Sequence, residues 1–168
     1  FNVKADLSID SGTIDRLTYG KLNGTMMLEE SILYLEGITF NALGGKVSGK
    51  SRMDLSDVEA PRYQVNFKLD KLSLEQCFRL FDVKERMITG SFSAQGDLTA
   101  KGVNAADLKK TVLGNVQIHF EEGTLKKLAT LSKILSILNV SQLLKFHLPD
   151  MVSGGMPYNK ITATLSFK

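Results

Sequence analysis

Cysteine is nearly absent. The 168-residue chain holds one, Cys77, so no internal disulfide can form and no cysteine-rich zinc site can be assembled. Long apolar runs are missing too: no stretch reaches the roughly 18 residues that a membrane-spanning helix needs. No secretory leader is visible. The chain begins at Phe1 rather than Met, which leads us to expect a fragment or a processed product of a longer protein. The hydrolase elbow G-x-S-x-G and the zinc motif H-E-x-x-H do not occur. The net charge of +3 is spread along the chain rather than gathered in one basic block, which argues against a nucleic-acid partner.

Candidate catalytic groups are equally scarce. His119 falls on the polar side of a strand pattern, and His147 follows a helical turn beside Leu148-Pro149. No Cys, Ser or carboxylate pattern surrounds either, so both are read as structural or exposed. Glu29-Glu30 and Glu121-Glu122 sit beside turn signals, where exposed charge is the default. Cys77 lies on an apolar helical stripe, as a buried, inert thiol would. No catalytic residue, metal or cofactor is expected from these patterns; carboxylates brought together by the fold stay open as an alternative at this point.

What the sequence does hold is period-two alternation. Tyr63, Val65, Phe67 and Leu69 alternate with Arg62, Gln64, Asn66, Lys68 and Asp70. The same rhythm runs through Val3–Ile9, Val47–Leu55, Ile88–Leu98, Val112–Phe120 and Ile161–Phe167. Each such run predicts a strand with one apolar and one wet face. Turn signals at Asp10-Ser11-Gly12, Gly44-Gly45, Ala60-Pro61, Glu122-Gly123 and Gly154-Gly155 separate them, and short connections favour antiparallel pairing. Between Ile32 and Phe40 apolar residues fall on both parities: Leu33 and Leu35 on one, Ile32, Tyr34, Ile38 and Phe40 on the other. At least seven one-sided strands with little helix to cover them leave two arrangements. Either two sheets close on each other, or one bent sheet leaves a greasy trough.

GGKVSGKS, Gly44 to Ser51, matches the phosphate-loop pattern G-x-x-x-x-G-K-[ST] letter for letter. That motif works only where a strand feeds a loop that opens a helix. Here Met53 and Leu55 continue an alternation that starts at Val47, before the supposed loop ends. The reading is strand, hairpin turn at Gly44-Gly45, strand, with Lys50 a solvated strand residue. No nucleotide is expected.

Helices interrupt the strands in a few places. Ser73 is a good N-cap with Gln76 at the capping-box position, and Leu74, Cys77, Phe78 and Phe81 form one stripe after it. Asn104 is placed to cap a short helix through Lys109. Ser141 is placed to cap one more turn through Leu144. The longest predicted helix runs from about Thr124 to Leu138, with Leu128, Leu131, Ile134, Leu135 and Leu138 as its apolar face and Asn139 as its stop. Its polar side carries Lys126, Lys127 and Lys133 and no acid. That is the pattern of a helix packed over a sheet with a basic face, or of one that meets anionic lipid head groups.

Several stretches resemble the AsmA-like family of Gram-negative envelope proteins and its bridge-like lipid transfer relatives. They are DLKKTVLGNVQIHFEEGTLKKL from Asp107, LSKILSILNVSQLL from Leu131, and PDMVSGGMPYNKITATLSF from Pro149. Leu113-Gly114, Gly123-Thr124-Leu125, Leu138-Asn139 and Gly155-Met156-Pro157-Tyr158 carry the pattern. Upstream, Leu22 to Leu55 looks like the family's repeated strand unit, in which a Gly-Gly pair joins two strands. The chain stops soon after a strand, where the family adds more. The resemblance implies a periplasmic domain of a longer protein held at the inner membrane by an N-terminal helix. It also implies a part in outer-membrane assembly and phospholipid transport, with no enzymatic activity.

The expected fold is mainly β with some helix: a curved, mostly antiparallel sheet forming a groove or partial barrel. A leucine-rich amphipathic helix lies near the C-terminus, with one or two short helices besides. Residues 1–168 form one domain, with repeated strands over 1–70 and strands plus capping helices over 71–168. The expected function is a non-catalytic lipid-handling module whose partner is phospholipid or a membrane surface. Val116, Ile118, Phe120, Ile161 and Leu165 would line its strand face, with Leu131, Leu135 and Leu138 from the helix. Lys126, Lys127 and Lys133 would meet head groups. The alternative is a scaffold domain that binds other envelope proteins and no lipid.

Overall fold

A computed structural model describes residues 2–84, 88–126 and 155–168. Among these, eight strands form one sheet in strict sequence order, each antiparallel to the next. They are β1 (Asn2–Ile14), β2 (Leu17–Glu29), β3 (Ile32–Ala42), β4 (Gly45–Asp54), β5 (Arg62–Ser73), β6 (Ser91–Lys101), β7 (Leu113–Leu125) and β8 (Met156–Phe167). Strands β1 and β8 are its two edges, so the sheet is open. Of the two arrangements left by the sequence, this is the single sheet.

The first four strands are stitched by two-residue hairpins. Ile14 pairs with Leu17, Glu29 with Ile32, and Ala42 with Gly45. Asp15, Glu30 and Leu43 take positive φ in these turns, near 53°, and Gly44 follows Leu43 at 77°. Two consecutive positive φ values make the β3–β4 turn the tight form whose twist matches the flanking strands. The turn is therefore Leu43-Gly44, one residue earlier than the Gly44-Gly45 expected, and Gly45 already belongs to β4. Lys50 is an exposed residue in the middle of β4, and the phosphate-loop context is absent.

The mixed parity of β3 has a local cause. Register shifts between the Leu35–Ser51 pair and the Ile38–Gly49 pair, so β3 carries one extra residue there. Gly37 sits in the bulge at φ 59°. An extra residue inverts the alternation beyond it. Leu33 and Leu35 therefore share a face with Ile38 and Phe40, and Tyr34 lies on the other.

Two short helices complete the described fold. Helix α1 (Leu74–Leu80) starts as its sequence predicts: the Ser73 hydroxyl accepts from the Gln76 backbone N–H at 3.3 Å. Leu74, Cys77 and Phe78 are buried. Phe81, expected on that stripe, is instead the C-cap and is 73% exposed, because the chain leaves the helix before the stripe returns to the core. Helix α2 (Ala105–Thr111) is capped by Asn104, which accepts from the Ala106 and Asp107 N–H groups. It runs two residues past the expected end at Lys109.

The strand edges also depart from expectation. Ser91, not Ile88, begins β6; Ile88 makes only an isolated bridge to Leu125. The expected turn at Glu122-Gly123 is the interior of β7, which continues to pair with β8 through Leu125. The predicted helix start at Thr124 is therefore strand, and Leu125 is 1% exposed. The rest of that helix, and the turn predicted from Ser141 to Leu144, lie outside the described residues. Among the described residues no helix is long and apolar enough to cross a membrane.

Candidate functional site: the apolar face of the sheet

Because the strands alternate and pair antiparallel, with bulges absorbing the register shifts in the β2–β3, β3–β4 and β5–β6 ladders, apolar side chains collect on one face in rows that run across the strands. One row reads Leu7, Gly24, Ile38, Gly49, Phe67, Gly96 and Val116, ending on β8 at Leu165. Large residues alternate with glycine along its first six strands. A side chain added at Gly24 would fall on the Cδ1 of Ile38. One added at Gly96 would meet Val116 Cγ2 at 2.9 Å and Phe67 Cε1 at 3.1 Å. The large side chains thus lie down over the glycines beside them. A second row joins Ala5, Met26, Leu35, Ser51, Val65 and Leu98.

The two halves of this face differ. At the β6–β8 end, Val116, Ile118, Phe120 and Leu165 join Leu74 and Phe78 of α1 in one buried core, with Ala94, Ala163 and Tyr158. Their exposures are 7, 9, 7 and 3% for the first four. Ile161 is half-buried against the same cluster. These five expected lining residues therefore stand together. At the β1–β5 end, Leu7, Leu22, Met26, Leu28, Leu33, Leu35, Ile38 and Phe40 are only half-buried. Val3, Ile9 and Val65 are exposed at 40, 41 and 37%. Of the described helices, α1 packs beside β5 and α2 beside β6.

The β1–β5 half was legible in part only. LNGTMMLEE alternates Leu22, Gly24, Met26 and Leu28 against Asn23, Thr25, Met27 and Glu29, but Met27 on the wet side masks the rhythm. In β3 the bulge masks it. Of the expected head-group lysines, Lys126 is exposed just past the end of β7. Lys127, Lys133, Leu131, Leu135 and Leu138 lie outside the described residues, as does His147.

One polar group breaks the apolar face. The Ser51 hydroxyl is buried and has no hydrogen-bond partner among the described residues. The opposite face is polar, and neighbouring strands bond across it at a few points. Thr25 donates to Asp6 at 2.9 Å, Gln95 to Gln117 at 3.1 Å and Ser166 to Asn115 at 2.8 Å. His119 Nδ1 lies 3.1 Å from the Thr162 hydroxyl on that face. Arg52 is 3.3 Å from Asp54 and also bonds Tyr34, which holds its guanidinium pKa up. Asp54 is held below the usual carboxylate range, first by the Ser56 side chain and backbone N–H and then by Arg52.

Burial pushes the Cys77 thiol up to about 11. Burial, with a smaller contribution from the charge of Glu75, pushes the Tyr158 phenol up to about 12. Neither is poised for chemistry near neutral pH. Among the described residues no group of His, Cys, Asp and Glu could hold a metal ion. No protein-family model matches the chain, and no curated protein or solved structure matches it.

Proposed function

We propose that the chain is a non-catalytic lipid-handling module of an envelope protein. The observation that supports it best is one apolar face continuous from β1 to β8, half-buried or exposed over β1–β5. An acyl chain laid on that face leaves water, which contributes about 0.8 kcal/mol for each methylene it buries. The open edges at β1 and β8 put no closed end on the row direction. The resemblance to AsmA-like proteins supports a periplasmic setting, an inner-membrane anchor and a role in outer-membrane assembly. The finer architecture belongs to the same proposal: a groove whose end carries the leucine-rich segment of Leu131, Leu135 and Leu138, with Lys126, Lys127 and Lys133 toward phosphate head groups. It rests on leucine and lysine spacing in the sequence.

The burial of Val116, Ile118, Phe120 and Leu165 favours a second reading for the β6–β8 half: a scaffold whose apolar surface is used up internally. Native mass spectrometry of protein expressed in bacteria separates the two. Co-purifying phospholipid that is lost in Ile9→Asp and Val65→Asp supports lipid handling, since both positions are exposed and tolerate a charge without unfolding the core. A clean protein that takes up no labelled phospholipid leaves the scaffold reading alone.

A further inference from the structure

The two edges of the sheet are not alike. An edge strand presents a row of unpaired backbone N–H and C=O groups. Proteins blunt that row with proline, a bulge, a short strand, an inward-pointing charge or a covering helix. The β8 edge is blunted in this way. Pro157 near its start has no N–H to offer, and its alternation breaks at the consecutive exposed residues Asn159 and Lys160. Strand β1 has none of these devices. It is 13 residues long and holds no proline. One register holds from the Asn2–Glu29 pair to the Ile14–Leu17 pair. Val3, Ala5, Leu7 and Ile9 take the apolar face, so no charge points inward there. The described helices pack beside β5 and β6.

Outward charge is the one device that β1 carries, and its arrangement is self-complementary. The polar side of β1 holds Lys4, Asp6 and Asp10, all exposed. Two antiparallel copies of β1 related by a two-fold axis through a residue pair positions of equal parity. Outward backbone groups then meet outward groups, and apolar positions meet apolar positions. The charges select among the possible axes. An axis through Asp6 sets Asp6 against itself, and one through Ser8 sets Asp6 against Asp10 twice. Like charges directly opposite destabilise a ladder. An axis through Leu7 instead sets Lys4 against Asp10 twice, Asp6 against Ser8, and Ala5 against Ile9. An axis through Ala5 sets Lys4 against Asp6. Asp6 already accepts from Thr25 at 2.9 Å, and Ile9, 41% exposed, then falls at the end of the ladder.

We propose that β1 is a self-association edge, pairing antiparallel with β1 of a second copy about a two-fold axis through Leu7. The outward N–H and C=O groups of residues 4–10 exchange hydrogen bonds across the axis. Lys4 of each copy faces Asp10 of the other. Leu7 meets Leu7 and Ile9 meets Ala5, so the apolar faces of the two copies join into one surface. The interface is isologous and closes on itself, so assembly stops at the dimer. A single strand pair buries less than the roughly 1,600 Å² of a standard interface, so the dimer forms only at micromolar concentration and above. The pairing uses edge backbone groups and two charges, and does not depend on the lipid reading.

The test is sedimentation velocity of the chain from about 1 µM to about 1 mM, in low salt, where exposed charge pairs are least screened. The expected result is a monomer–dimer equilibrium that stops at two copies. Amide hydrogen exchange should slow in β1 as concentration rises and stay constant in β8. Lys4→Glu and Asp10→Lys should each weaken association about tenfold, because each turns two attractions into repulsions. The double variant K4E/D10K should recover it. Both positions are exposed, and an unchanged urea midpoint in dilute solution shows that the variants fold. A monomer at every concentration, assembly beyond the dimer, protection of β8 amides, or a double variant as weak as the singles would each overturn the proposal.

Discussion

Replacing Gly37 isolates what the β3 bulge costs and what it does. Gly37 has φ 59°, and a side chain added there would meet nothing within 4 Å. Steric overlap therefore contributes nothing, and only the left-handed backbone penalty remains. That penalty is about 1–2 kcal/mol for an L-residue, and Asn tolerates the region better than Ala. Gly96 is the control. Its backbone is ordinary, but an added Cβ would meet Asn115 O at 2.7 Å, Val116 Cγ2 at 2.9 Å and Phe67 Cε1 at 3.1 Å. Overpacking of that kind costs about 1–3 kcal/mol. Urea denaturation should show Gly37→Ala destabilised by about 1 kcal/mol and Gly37→Asn by less. Gly37→Val should fall at the upper end of the left-handed penalty and Gly96→Val near 3 kcal/mol, since its branched side chain adds to the overlap. Deleting Gly37 is the informative variant. It places Leu33, Leu35, Ile38 and Phe40 on one unbroken parity, so pairing with β4 can continue without a shift. The deletion should fold with less loss than Gly37→Val. If Asn is as damaging as Val, or if the deletion unfolds the protein, the account of the bulge as the device that merges two parities is wrong.

Three further outcomes follow from the same geometry. Ser51→Ala removes a buried hydroxyl without a partner, and should stabilise the fold by roughly 1 kcal/mol in the same assay; a loss of stability would mean the hydroxyl is bonded. Phe78→Ala should cost about 3–5 kcal/mol because Phe78 is core, while Phe81→Ser should stay within about 0.5 kcal/mol despite lying on the same predicted stripe. Stability should fall at alkaline pH. The Cys77 thiol ionises near 9.0 when unfolded and about 11 when folded, and Tyr158 near 10.0 and about 12. Both are held neutral by the fold, so their contribution is complete below pH 9.0, declines as pH rises through 9.0 to about 12, and does not recover above it. Each amounts to on the order of 2 kcal/mol. Urea midpoints measured from pH 8 to 11.5 should drop accordingly, and Cys77→Ala should flatten the first part of the fall; a midpoint independent of pH would refute the burial argument.

The sequence by itself determined the local structure. Alternation depends on neighbours two apart, so β5 and β7 could be read from Tyr63–Leu69 and Val116–Phe120. Capping depends on residues three apart, so Ser73 and Asn104 marked both described helix starts. The same locality exposed the phosphate-loop letters as a strand. Tertiary structure decided the rest. Whether Leu33 and Phe40 share a face turned on one residue in the left-handed region at Gly37, which no period reveals. Whether Val116 and Leu165 are core while Val65 and Ile9 are open turned on where α1 docks. Docking and register are contacts between residues far apart in the chain, and such contacts leave no rhythm in the sequence to be read.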